Sequence, residues 1–116
     1  MKAREFSRTD RVAATIKRAL AAPVNELARQ NDAGLVTITH VDVAPDMRRA
    51  TVYLSIYDTL ADPQAVLKTF SNNSTELQAV LGRELRTKRT PVISFRRDAG
   101  IERADRRTRL LPSGEA

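Results

Sequence analysis

A chain of 116 residues with 41% hydrophobic and 29% charged side chains has the size of one ordinary domain, with apolar material for one core and too little for two. Its 20 Lys and Arg outweigh 14 Asp and Glu to give a formal charge of +6, which favours nucleic acid or an anionic surface over an acidic protein as partner. Cysteine is absent, which removes disulfides, thiolate nucleophiles and cysteine metal sites; no apolar run approaches the roughly twenty residues of a membrane span, and the charged start from Met1 to Phe6 does not read as a secretory leader, so a soluble, cytoplasmic protein is expected.

The first predicted element is a helix. Ser7 is a cap and Asp10, at the third helical position, answers it, while Val12, Ile16, Ala19, Leu20, Val24 and Leu27 recur at helical spacing as one apolar stripe. Arg11 and Arg18, seven apart, share a different face. Pro23 falls inside the pattern and predicts a kink or break, and Asn31-Asp32-Ala33-Gly34 is loop chemistry that ends the helix.

From Leu35 the period becomes two. Val36, Ile38, His40 and Asp42 are expected on one side and Leu35, Thr37, Thr39, Val41 and Val43 on the other, in a strand rich in β-branched residues. Ala44-Pro45-Asp46-Met47 makes a turn, and Ala50, Val52, Leu54 and Ile56 alternate through a second strand, so the pair reads as a hairpin. Asp62-Pro63 then supplies a cap with proline at the first helical position, and Ala65, Val66 and Phe70 carry a short helix. Ser71-Asn72-Asn73-Ser74-Thr75 interrupts it. Thr75 with Gln78 predicts a fresh capping box, after which Leu77, Val80, Leu81 and Leu85 form a stripe with Arg83 and Arg86 on the opposite side. Pro91 ends that region and opens an edge-type strand through Phe95. The predicted class is α+β, a single domain in the order α-β-β-α-α-β with a three-stranded sheet packed against helices.

Charge is polarised toward the two ends of the chain. Residues 1 to 18 carry six basic groups against two acids, and residues 83 to 116 carry ten against five; between them, Arg29, Arg48, Arg49 and Lys68 face seven acids. The densest cluster is Arg86, Lys88, Arg89, Arg96 and Arg97, spanning a helix end and a strand, a pattern that suits phosphate contact and offers no nucleophile, ligand set or general base.

At this point the chain resembles the bacterial ribosome-binding factor A family. The resemblance covers roughly residues 5 to 111 and rests on Arg8-Thr9-Asp10-Arg11-Val12, on Val36-Thr37-Ile38-Thr39-His40-Val41 leading to Asp46, on Ala50-Thr51-Val52-Tyr53-Leu54-Ser55, and on Arg86-Thr87-Lys88-Arg89-Thr90-Pro91-Val92-Ile93-Ser94-Phe95 with Asp98. It implies a type II KH-like fold and a factor of ribosome biogenesis and rRNA processing that binds the small (30S) subunit and its 16S rRNA late in maturation, with prominence in the cold. Neighbouring ribosomal proteins and assembly GTPases are the further partners it implies. Asn73-Ser74-Thr75 stand where relatives carry Ala-x-Gly and an ordinary KH domain its Gly-x-x-Gly loop, so a capped break offering hydroxyl and amide donors is expected in place of glycine. Gln78 sits where relatives often have arginine, and Lys88 where arginine is usual; lysine keeps the charge and loses the forked geometry.

The RNA-binding residues expected on this reading are Arg8, Arg11, Arg18, Asn73, Ser74, Thr75, Arg83, Arg86, Lys88, Arg89, Arg96, Arg97 and Arg106. Only five Phe and Tyr side chains are present, and Phe70 and Phe95 have core spacing, which leaves Phe6 as the one stacking candidate. Contacts are therefore expected mainly to phosphates, which position a protein on folded RNA without reading bases, and six such contacts predict a log–log salt slope of about −4 to −5. Residues 1–101 are read as the KH-like domain and 102–116 as a basic tail, disordered in isolation, whose Arg103, Arg106, Arg107 and Arg109 order on RNA. The alternative is a general DNA-, nucleoid- or polyanion-binding module, but no recognition helix or dimer interface is visible and a monomer is expected. An enzyme is not expected. His40 reads as a partly buried strand residue, Asp42 and Asp46 as hairpin residues, and the four glycines are too scattered for a phosphate loop, so neither cofactor nor metal is implied.

Overall fold

Ser7 opens α1 (Arg8–Gln30) by accepting a hydrogen bond from the Asp10 N–H at 3.1 Å, while the Asp10 carboxylate accepts from the Ser7 N–H at 3.2 Å, closing the expected capping box. The computed structural model describes residues 7–57, 59–85 and 89–98. Ile16, Leu20, Val24 and Ala28 are buried along α1, with Val12, Ala13, Ala19 and Leu27 packed beside them. Pro23 does not break the helix. It withdraws one N–H from an element anchored on both sides by the fully buried Leu20 and Val24, whose burial stabilises by roughly 1.5–3 kcal/mol each and offsets most of the local cost. Near the C-terminus Arg29 donates to Glu26 at 2.6 Å, and this bond holds the Glu26 carboxyl below its ordinary value. The pair thus supports the helix at neutral pH and ceases to as acid protonates Glu26. The chain leaves through Asp32 at φ 50° and Gly34 at φ 84°.

β1 (Leu35–Val43) and β2 (Arg49–Tyr57) form the expected antiparallel hairpin. Its turn is closed by the Met47 N–H donating to the Ala44 carbonyl at 2.8 Å and by the Arg48 N–H donating to Asp46 Oδ1 at 3.0 Å. The alternation expected for β1 fails midway. The register slips between Ile38 and His40, a β-bulge, so that Val36, Ile38, Val41 and Val43 all point into the core. Thr39, the extra residue, donates to Asp98 Oδ2 at 2.7 Å and lies 3.4 Å from the Tyr53 carbonyl. His40 is consequently exposed, not a partly buried packing residue, and its ring tilts against Tyr53 at 5.7 Å.

Asp62 caps α2 (Pro63–Asn72) by accepting from the Gln64 N–H at 3.2 Å, with Pro63 in the first turn as predicted. A single residue, Asn73, separates it from α3 (Ser74–Glu84). β3 (Val92–Arg97) lies parallel to β2, giving the sheet order β1-β2-β3. α1 packs on β1, α2 and α3 on β3, and α1 also meets α3. One continuous core results, in which Phe70 and Phe95 meet at 5.8 Å as the packing residues their spacing indicated. The molecule is α+β in the order read from the sequence, with the interrupted helix pair of a KH-like fold.

Candidate nucleic-acid interface

The arginines in the first half of α1 lie on its outside. Arg8, Arg11 and Arg18 are all exposed, and Thr15 links the last two, donating to the Arg11 carbonyl at 3.1 Å and accepting from Arg18 at 3.4 Å. Arg11 and Arg18, about 10 Å apart along the axis, sit opposite the buried stripe where a solvated face is required.

Parallel pairing of β3 with β2 rearranges the remaining charge. Arg49 pairs with Val92, and the Val92 N–H donates to the Arg48 carbonyl at 2.9 Å, so the start of β2 stands beside the segment entering β3. There a cavity of about 310 Å³ is bordered by Arg8 and Val12 of α1, by Asp46 and Met47 of the hairpin turn, and by Arg89 and Pro91. Arg8 and Arg89, distant in sequence, thus share one concavity, and the exposed Arg48 and Arg49 follow Met47 in the chain at the start of β2. Neither Arg48 nor Arg49 was expected to be functional. They fall in the acidic middle of the sequence, and only the parallel pairing brings them to the basic end.

Of the linear cluster running from residue 86 to 97, the described Arg89, Arg96 and Arg97 do not form one patch. Arg96 lies four residues along β3 from Val92, about 13 Å on at roughly 3.3 Å per residue, opposite the middle of β2. Arg96 is exposed and paired opposite Tyr53, whereas Arg97 is half-buried and paired opposite the buried Leu54. Arg83 is exposed in the last turn of α3, where its charge also complements the helix dipole. Arg86, Lys88, Arg106 and the rest of the tail, together with Phe6, lie outside the described residues.

At the helix break Asn73 has φ −103° and ψ 15°, so the chain turns without any left-handed residue and the position makes no demand for glycine. Its side-chain amide donates to the Thr69 carbonyl at 2.8 Å, finishing α2, and no side-chain hydrogen bond caps α3. The capping box expected between Thr75 and Gln78 is not formed. Gln78 reaches β3 instead: its Nε2 donates to the Pro91 carbonyl at 2.6 Å and its Oε1 accepts from the Ile93 N–H at 3.0 Å. The side chain thereby satisfies two groups on the free edge of the sheet, beside a groove of about 630 Å³ that Ser74 and Thr75 enter from one side and Thr90 and Val92 from the other. Ser74 and Thr75 therefore border a groove, while the Asn73 amide is committed to the helix end.

Among the described residues no group of three or more His, Asp or Glu is placed to hold a metal ion, and no helix is long and apolar enough to cross a membrane. The assembled features are cationic and hydrogen-bonding, a chemistry suited to gripping phosphate.

Comparison with known proteins agrees with the fold. The family model described as ribosome-binding factor A matches residues 8–111. A ribosome-binding factor A from Gemmatimonas aurantiaca is 35% identical over 108 residues, covering 92% of this chain and 74% of that protein. The crystal structure of ribosome-binding factor A from Thermus thermophilus superposes with a TM-score of 0.68 at 25% identity, covering 78% of this chain and 97% of the other. A homology model of the Thermus thermophilus factor, fitted into a cryo-EM map of its complex with the 30S subunit, gives 0.61 at 25% identity over 75% of this chain and 91% of that one. With its fold and nearly all of its described residues matched in this way, the chain belongs to the ribosome-binding factor A family.

Proposed function

We propose that this protein binds the small ribosomal subunit and its 16S rRNA during late maturation, as a non-catalytic assembly factor of the cytoplasm that acts as a monomer, with a role in rRNA processing and cold adaptation. The observation that carries this reading is the concavity shared by Arg8 and Arg89 near the start of β2, which carries Arg48 and Arg49, in a family whose Thermus thermophilus member has a homology model fitted into a 30S map. A compact cationic surface held on rigid elements suits rRNA recognised by shape, where phosphate contacts set position and orientation. Arg11 and Arg18 flank it, Ser74 and Thr75 offer hydroxyls at the break, and Arg83, Arg86, Lys88, Arg96, Arg97 and Arg106 extend the charge. On this reading residues 1–101 are the folded binding unit and 102–116 a tail that adds affinity.

Co-sedimentation with isolated small subunits, large subunits and assembled ribosomes across a salt series tests the proposal. Saturable, salt-sensitive binding confined to the small subunit is expected, with a slope near that of about six phosphate contacts, roughly −4 to −5. Equal binding to all three particles, or to plain duplex DNA, would refute it.

A further inference from the structure

The cavity shared by Arg8 and Arg89 has a mixed lining, part cationic and part apolar. Val12, Pro45, Met47 and Pro91 line it together with the two arginines and Asp46. Pure phosphate recognition needs no apolar lining, and a volume of about 310 Å³ is at the lower end of small-ligand sites, too small for a helix and adequate for one nucleotide. Met47 holds φ 64°, an uncommon conformation for a non-glycine residue, fixed by its hydrogen bond to Ala44. That conformation sets a polarisable thioether at a site where an aromatic base could lie against it.

Asp46 is the second discordant feature. A carboxylate beside a phosphate site weakens it by repulsion, unless the carboxylate has donors of its own to meet. Oδ1 of Asp46 accepts the Arg48 N–H, which leaves most of the acceptor capacity of the group unused by that bond. Guanine presents two adjacent donors, its N1–H and its N2 amino group, to a carboxylate. Uracil presents one N–H flanked by carbonyls that would face like charge.

Resting on the function proposed above, we infer that this cavity receives one extruded guanine nucleotide of the RNA. The base lies against Val12 and Met47, its donors meet Asp46, and its phosphate sits between Arg8 and Arg89. Unpaired bases splayed from a folded RNA are the usual target of sequence-specific RNA recognition, so the site would add a base-reading contact to a surface otherwise limited to phosphates.

The experiment is a methyl- and amide-detected NMR titration of the full chain with GMP, UMP and inorganic phosphate, repeated on Asp46→Asn. Asparagine still accepts the Arg48 N–H and so preserves the turn. GMP is expected to shift the Val12 and Met47 methyl signals saturably and to bind at least fivefold more tightly than UMP, a preference Asp46→Asn abolishes. Phosphate alone is expected to leave the Val12 and Met47 methyl signals unmoved. Methyl signals that stay still at the highest GMP concentration, equal affinity for GMP and UMP, or shifts that phosphate reproduces would each overturn the inference. Parallel co-sedimentation with small subunits separates the two failures: a parent protein that sediments with the subunit but ignores GMP loses only this inference, whereas one that never sediments loses the function on which it rests.

Discussion

Gln78 shows how much one side chain can hold. Its amide supplies a donor to Pro91 and an acceptor to Ile93, mimicking the strand that β3 lacks on its outer side, and it fixes the point from which the strand leaves the arginine-lined cavity. Gln78→Ala would strand both backbone groups in a half-buried setting, and the expected loss is about 1–3 kcal/mol of stability, measurable as a lower urea midpoint with an unchanged slope. Sequence alone could not have revealed this. Capping chemistry is local and readable, so Ser7 with Asp10 and Asp62 with Pro63 are legible; Gln78 fits the same local pattern with Thr75, yet its partners lie 13 and 15 residues away.

At the level of elements, periodicity was the reliable signal wherever one face of an element meets the core. The α1 stripe, the alternation of β2 and the order of all six elements follow from it. It failed at β1 because a bulge inserts a residue with no chemical signature, and Thr39 looks like any other strand threonine. It overstated Pro23 because a local rule was applied to a helix whose flanking residues are fully buried. The cost of that proline remains measurable: Pro23→Ala restores one helical hydrogen bond and removes a steric conflict. An increase in stability of about 1–3 kcal/mol is expected by calorimetry, less than the full interior proline penalty because the half-buried ring surrenders some packing.

Over the whole molecule, the distribution of charge in space departs from its distribution along the chain. β3 carries Arg96 and Arg97 away from Arg89, while its pairing with β2 recruits Arg48 and Arg49 from a segment that is acidic overall. A segmental charge count points to the chain ends; on the function proposed above, the sheet points to one end of the β2–β3 pair. Reversing Arg48 and Arg49 together to glutamate is therefore expected to weaken small-subunit binding at least tenfold and to flatten its salt dependence by about 1.4–1.8 in the log–log slope, with an unaltered melting temperature. Loss of binding no greater than that from reversing Arg29, which is exposed on α1 and paired with Glu26, would place the interface elsewhere.

The bulge in β1 has a consequence for how crowded copies of this protein behave. β1 is an outer strand of the sheet, and an outer strand that is long and straight is a template on which a second chain can polymerise. Remove Thr39 and the same four side chains, Val36, Ile38, Val41 and Val43, would face inward on an unkinked ladder, so the core does not require the extra residue. What the extra residue gives the fold is a distorted border, tethered across β2 to Asp98, which is a poorer template for a neighbouring molecule than a straight strand.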